Sequence, residues 1–298
     1  MLTSAGCAEQ RVNLRRMRKV CFYHAGCPDG FGASWSVWHA WGDDAEYRPI
    51  GHDEPIDVNA LEGAQVAFVD IFTRTDTLRA LGDVASHVVV LDHHITSRDR
   101  FHADPELEDD LRAGGHLVHF DLSHSGAVLA WQHFHGGDPP TLLEYVEDQD
   151  LWAWKLPDSQ EVNAAIGSYA RRFEIWDQLA AMPIEALVAQ GEPLVRHARI
   201  EVQRAVRKTH PLTVEGRRVE AVNSTAYRSA IGHALSERAI YGKPWGCVYR
   251  VTGSRVDATL YSIGELDVAA IAAQLGGGGH RNAAGFSVSL QVWLEMVL

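Results

Sequence analysis

The chain has 298 residues, 46% of them hydrophobic and 22% charged, which is enough to bury a sizeable core and to fill two domains. Its formal net charge of −12 excludes a partner held by charge alone, such as long nucleic acid or an anionic membrane, but leaves room for a small phosphorylated ligand. Four scattered cysteines (Cys7, Cys21, Cys27, Cys247) without a C-x-x-C pair exclude a disulfide framework and a zinc finger, and fit a reducing, cytoplasmic compartment.

No apolar run is long enough for a transmembrane helix. Arg11, Arg15, Arg16, Arg18 and Lys19 have no apolar core behind them, so the N-terminus reads as a frayed arm rather than a secretory signal. Val20–His24 reads as a first strand, followed by a loop rich in Gly and Pro (residues 25–32) and a helix to Trp41. Phe31, Trp35, Trp38 and Trp41 recur there at helical spacing and read as core. Short strands follow at Tyr47–Ile50 and Gln65–Asp70, then a helix at Thr75–Val84.

Residues 87–94, His-Val-Val-Val-Leu-Asp-His-His, form the central stretch. Val88, Val89, Val90 and Leu91 read as a strand buried on both faces, and it runs straight into Asp92, His93 and His94. Residues 97–116 are polar and acidic and read as a surface loop. Leu117–Asp121 reads as a strand, with helices from Ser125 to about His135 and from Leu142 to Asp148. Alternating strands and helices predict a doubly wound parallel α/β sheet.

From about 160 to 210 the pattern is helical, broken at Pro183, Gly191 and Pro193. The stretch 195–210 reads as a linker helix between a domain of residues 1–195 and one of 196–298. The second domain reads as smaller, α/β, with a mixed sheet. Its strands are Leu212–Val214, Val219–Val222, Cys247–Val251 and Ala258–Ser262, with helices near Ala226–Ile240 and Val268–Leu275. The last helix ends at the run Gly276–Gly285.

In open α/β sheets ligands bind beyond the carboxyl ends of the strands. Three strands here end in chemistry: the first near His24 and Asp29, another at Asp70, the central one at Asp92, His93 and His94. Glu147, Asp148 and Asp150 form a fourth acidic cluster. Carboxylates crowded on one sheet edge repel one another, and a divalent cation resolves the conflict. Oxygen donors with one or two imidazoles suit manganese, with magnesium or another divalent metal as alternatives.

Leu91-Asp92-His93-His94 resembles the Asp-His-His signature of the DHH phosphoesterases, which include RecJ-type exonucleases, nanoRNases, cyclic-dinucleotide phosphodiesterases and some pyrophosphatases. His24–Gly32, Val69-Asp70 and Val146-Glu147-Asp148 stand where that family's first, second and fourth motifs stand. Gly276–Gly285 is similar to the glycine-rich signature of its associated C-terminal domain. The resemblance implies that Asp70 bridges two metals, with Asp29, His93 and Asp148 completing one shell and His24 belonging to the other. Many relatives carry two aspartates in the first motif; here Cys27 stands at one of those positions, leaving one ion or two open, with Cys27, water or His94 as the missing donor. Asp150 is the alternative to Asp148, and otherwise reads as capping the turn before Trp152.

Asp92 and His94 then stand as the catalytic pair, with His94 stabilising phosphoryl charge or moving a proton. Gly278 and Gly279 offer backbone N–H groups to an anion, and His280, Arg281 and Asn282 complete a substrate phosphate clamp. The remaining histidines, including His39, His52, His102, His116 and His133, read as surface or structural. Together these features imply a manganese-dependent hydrolase of phosphodiester or phosphomonoester bonds in a small nucleotide, cyclic dinucleotide or short oligonucleotide bound between the domains. No membrane or long nucleic acid is needed, and a homo-oligomer is compatible. The alternative is a non-catalytic nucleotide-binding regulator with a degenerate metal site.

Overall fold

The computed structural model describes residues 17–297. Cys7 and the arginines at 11, 15 and 16, read as part of a frayed arm, lie outside the described residues. The first half is built on five parallel strands: β1 (Lys19–His24), β2 (Glu46–Ile50), β3 (Gln65–Val69), β4 (His87–Asp92) and β5 (Leu117–Phe120), in the order β2-β1-β3-β4-β5. The helices between them are α1 (Pro28–Trp41), α2 (Thr75–Val84), α3 (Ile95–His102), α4 (Pro105–Ala113) and α5 (Gly126–His135). The sheet is doubly wound, as the alternating pattern predicts.

Alternation along each strand divides the core in two. Cys21, Ala67, Val69, Val89 and Leu91 pack with Phe31, Trp35 and Ala127 on the face covered by α1 and α5. Val20, Phe22, Val66, Phe68, Val88 and Val90 pack with Leu78, Leu81, Phe101, Leu107 and Leu111 on the face covered by α2, α3 and α4. Each Val, Leu or Phe among them contributes roughly 1.5–3 kcal/mol on burial, so both faces of the central strand are fixed by packing. Residues 97–116, expected to be a surface loop, instead contain most of α3 and all of α4. Asp104 caps α4 by accepting from the Leu107 N–H at 3.1 Å, Pro105 sits in its first turn, and Leu107 and Leu111 are buried. The acidic residues that suggested a loop are the helix's solvent face.

Next come α6 (Thr141–Asp150), α7 (Ser159–Ser168), α8 (Phe173–Ala180) and the 23-residue α9 (Ile184–Val206). The breaks expected at Gly191 and Pro193 do not occur, and the stretch read as a linker helix from 195 is the second half of a helix that starts at Ile184. Gly191 is needed for packing: a Cβ there would lie 1.8 Å from the Glu161 carbonyl oxygen. Proline at 193 removes one N–H from the helical ladder without ending it.

The second half is a six-stranded mixed sheet. Its strands are β6 (His210–Val214), β7 (Arg217–Asn223), β8 (Trp245–Thr252), β9 (Arg255–Ser262), β10 (Gly278–His280) and β11 (Ala283–Ser289), in the order β10-β11-β9-β8-β7-β6. Only β7 and β8 run parallel. Helices α10 (Arg228–Arg238), α11 (Val268–Gln274) and α12 (Leu290–Val297) flank it. Val202 and Val206 at the end of α9 join Val222, Ile231, Leu235 and Val248, tying the linker into this core. Among the described residues, no helix is long and apolar enough to cross a membrane.

Candidate metal centre

The register of the parallel sheet lines up the first three site positions. Tyr23, Val69 and Leu91 pair across β1, β3 and β4, so the next residue of each strand, His24, Asp70 and Asp92, falls in one row at the carboxyl edge. The strand order reverses between β1 and β3, which is where an open α/β sheet leaves a crevice. Asp70 turns the chain there with a φ of 57°, a left-handed conformation that aspartate tolerates better than most residues. The turn needs room: a Cβ at Gly126 would lie 2.3 Å from the Asp70 Cβ.

Asp29, in the first turn of α1, accepts from the Gly126 N–H at 2.7 Å and the Ala127 N–H at 2.9 Å at the start of α5. His93 is buried, and its Nε2 faces three carboxylates: Asp70 Oδ1 at 3.0 Å, Asp150 Oδ2 at 3.5 Å and Asp29 Oδ2 at 3.6 Å. None of these approaches is aligned as a hydrogen bond, and Asp70 Oδ1 and Asp150 Oδ2 are buried without a hydrogen-bond partner. Donors that converge without pairing are arranged as ligands to a common cation, and Asp29, His93 and Asp150 can hold one.

The other Asp70 oxygen faces a second group. Cys27 Sγ lies 3.3 Å from Asp70 Oδ2 and 3.3 Å from His24 Nδ1, which is itself 3.4 Å from Asp70 Oδ2. Asp70 thus stands between two clusters, one oxygen to each.

Sequence reading favoured Asp148 over Asp150 as the ligand; in the structure Asp150, not Asp148, faces His93. The Asp148 carboxylate accepts from the Lys155 N–H at 2.7 Å and the Leu156 N–H at 3.3 Å, closing the turn after α6. That turn carries Trp152 and Trp154, both left-handed, with φ of 55° and 51°. Asp150, two residues further along α6, points at His93. The spacing offered both residues; only the course of the turn separates them.

Asp92 does not face the clusters with both oxygens. Its Oδ1 accepts from the N–H groups of His93 at 2.8 Å and His94 at 3.3 Å, and meets His94 Nδ1 at 2.7 Å. Asp92 therefore fixes the His94 ring and leaves Nε2 for other work. His52, read as a surface residue, lies with its ring 4.9 Å from His24 and 5.4 Å from His94. Its neighbourhood comes from β1, β2 and β4 meeting at one edge, which no local spacing in the sequence announces.

The glycine run is a strand rather than an open cradle. Gly278, Gly279 and His280 form β10 and pair with Gly285, Ala284 and Ala283. The Gly279 N–H donates to Thr96 Oγ1 at 3.2 Å, and a Cβ at Gly277 would lie 2.0 Å from the Gly285 carbonyl oxygen. The pairing carries His280 onto the metal centre, its ring 4.5 Å from His94 and 4.7 Å from His93. Arg281 donates to the Glu265 carboxylate at 2.6 Å and carbonyl at 2.9 Å, and Asn282 donates to Ser262 and Gly264. Both line the cavity while held by their own sheet.

Charge crowding sets the protonation. Burial, with Asp70 and Asp150 nearby, pushes the Asp29 carboxyl well above the usual range. Burial also raises Asp150, against the pull of His93. Asp70 is held well below the usual range because His24 and His93 outweigh its burial. Burial disfavours a charged His93, but Asp70, Asp150 and Asp29 overcome this and raise it well above an ordinary histidine. His94 is raised because Asp92 outweighs its burial, whereas burial beside His94 and His93 drives His280 well down. Burial and the same carboxylates push the Cys27 thiol up.

A cavity of about 700 Å³ opens beside the cluster. Cys27, Asp29, His93 and Asp150 form one wall; His233, Tyr261, His280 and Arg281 form the opposite one. Trp152 lies between, its Nε1 donating to His233 Nδ1 at 3.3 Å. The volume is that of a small-molecule site.

No family model matches the chain. It is similar to an uncharacterized protein of Acanthamoeba polyphaga mimivirus, 26% identical over 297 residues, covering 91% of this chain and 67% of that protein. Among solved structures, an exopolyphosphatase-related protein from Bacteroides fragilis shares 12% identity at a TM-score of 0.47, with 91% of this chain and 86% of that one covered. A pGpG-specific phosphodiesterase from Vibrio shares 11% identity at a TM-score of 0.42, with 92% and 94% covered.

Proposed function

We propose that the protein is a metal-dependent phosphoesterase of the DHH type, hydrolysing phosphodiester or phosphomonoester bonds of small nucleotides or short oligonucleotides. The observation that carries this reading is the convergence of Asp29, His93 and Asp150 on the wall of a nucleotide-sized cavity, with Asp70 3.0 Å from His93 and two orphaned carboxylate oxygens among the four residues. These four residues would hold one divalent ion, and His24, Cys27 and Asp70 a second. Manganese suits the first set, whose donors are mainly carboxylate oxygens. When bound, such ions lower the pKa of water and neutralise phosphoryl charge.

The chain's own groups do the rest. Asp92 orients His94 and supports its proton, so that Nε2 can donate to a phosphoryl or leaving oxygen. His280, kept neutral beside it, can accept. Trp152 and Tyr261 offer faces on which a base can stack, and Arg281, if it lets go of Glu265, can reach a second phosphate.

The test is hydrolysis of a generic phosphodiester and of a dinucleotide by chelator-treated protein titrated with manganese. Turnover should rise with the metal and stop when chelator is restored. Tight dinucleotide binding without turnover under any divalent metal would instead establish a nucleotide-binding regulator.

A further inference from the structure

The second cluster contains a sulfur. Cys27 Sγ, His24 Nδ1 and Asp70 Oδ2 form a nearly equilateral triangle with edges of 3.3, 3.3 and 3.4 Å. A tetrahedral zinc ion, with Zn–S about 2.3 Å and Zn–N or Zn–O about 2.0–2.2 Å, sets its ligand atoms roughly 3.3–3.6 Å apart. The triangle already has that size. Cys27 also stands at the N-cap of α1, and Sγ accepts from the Gly30 N–H at 3.2 Å. That N–H favours a thiolate, but burial and the nearby carboxylates outweigh it in the free thiol, so it is the ion that must displace the proton.

We propose that Cys27 binds metal as a thiolate, making His24, Cys27 and Asp70 a nitrogen–sulfur–oxygen site for a thiophilic divalent ion such as zinc or cobalt(II). The neighbouring Asp29, Asp70, His93 and Asp150 set is left to manganese or magnesium. The inference rests on the metal-centre reading above and refines it: the two sites, joined by Asp70, differ in the metal they select. Thiolate donors favour zinc and its like, while carboxylate-rich sets suit manganese and magnesium. A thiol that coordinates a divalent ion gives up its proton to solvent, so binding is linked to proton release.

The experiment uses the full chain with Cys7→Ser, stripped of metal and titrated with cobalt(II). The expected result is a near-ultraviolet thiolate-to-cobalt charge-transfer band that saturates at one equivalent. Zinc should abolish the band and manganese should not. Cys27→Ser and Cys27→Asp should both lose the band while staying folded by circular dichroism. Zinc affinity in Cys27→Ser should fall by more than the ~10–100-fold typical of losing an outer-shell partner. Cobalt bound by the parent chain without the band, or a band that survives in Cys27→Asp, overturns the thiolate assignment alone. Failure to bind cobalt, zinc or manganese at all overturns this inference together with the metal-centre reading.

Discussion

The carboxyl edge of the five-stranded sheet and the glycine-rich hairpin of the six-stranded sheet face each other across one cavity, and they are built on opposite principles. The edge gathers carboxylates that repel one another, leaves three of their oxygens (Asp70 Oδ1, Asp92 Oδ2 and Asp150 Oδ2) unpaired, and lets packing on both faces of the sheet hold them there. The hairpin spends its polar groups on protein partners: Gly279 on Thr96 of α3 in the other half, Arg281 on Glu265 and Asn282 on Ser262 within its own half. One region is poised for a cation. The other locates a single imidazole, His280, against it.

The sharpest way to break this contrast is Asp70→Ala, which removes the one carboxylate shared by both clusters. Hydrolysis should fall by more than the ~10–100-fold typical of an outer-shell loss, with circular dichroism unchanged. Near-normal turnover would end the shared-carboxylate scheme. Gly126→Ala should come next, because its Cβ would be driven into Asp70. We expect roughly 1–3 kcal/mol of destabilisation in chemical denaturation and a loss of metal affinity, although residue 126 is no ligand.

A pH series on the metal-free protein sharpens the comparison from the other side. His93 and Asp29 both have raised folded-state pKa values, so each contributes stability that is present at low pH and lost as pH rises through its folded value. Melting temperature in chelator should therefore decline from pH 6 towards pH 9. Saturating manganese, in place of the proton, should flatten the decline. An equal slope with and without metal would contradict the picture.

Changes on the hairpin should be milder. Arg281→Ala should raise KM for a nucleotide by about 10-fold, the lower end for a charge-assisted hydrogen bond, because Glu265 already shares the guanidinium. Hydrolysis of a generic aryl phosphodiester should hardly change. Thr96→Val, which deletes only the acceptor of the Gly279 N–H, should cost about 0.5–1.5 kcal/mol and slow turnover modestly. A larger effect than that of Gly126→Ala would reverse the division of labour between the two regions.

Much of the fold was legible because it follows from alternation and punctuation. Val88–Leu91 read as a strand buried on both faces, and it is one; Thr75–Val84 read as a helix with the boundaries observed. His24, Asp70 and Asp92 could be expected near one another because a parallel sheet lines up its strand ends. What the residues did not disclose depends on where the chain goes next. Asp148 and Asp150 differ only in the turn that follows α6, and His52 reaches the cluster from a neighbouring strand's end. The glycines looked like an anion cradle, since an absent Cβ serves close packing and ligand approach equally well. Cys27 was one of three candidates for the missing donor, and only the folded chain puts its Sγ 3.3 Å from both His24 and Asp70.

Helix α9 carries a mechanical consequence. Near one end it is pinned where Gly191 meets the Glu161 carbonyl, and at the other Val202 and Val206 are embedded in the second core. Between those anchors the helix is a beam, and its compliance is greatest beside Pro193, where the hydrogen-bond ladder lacks a rung. The two halves are also joined at the cavity, where the Gly279 N–H donates to Thr96 of α3 and Ile95 packs against the second core, so any bending at Pro193 works against those contacts.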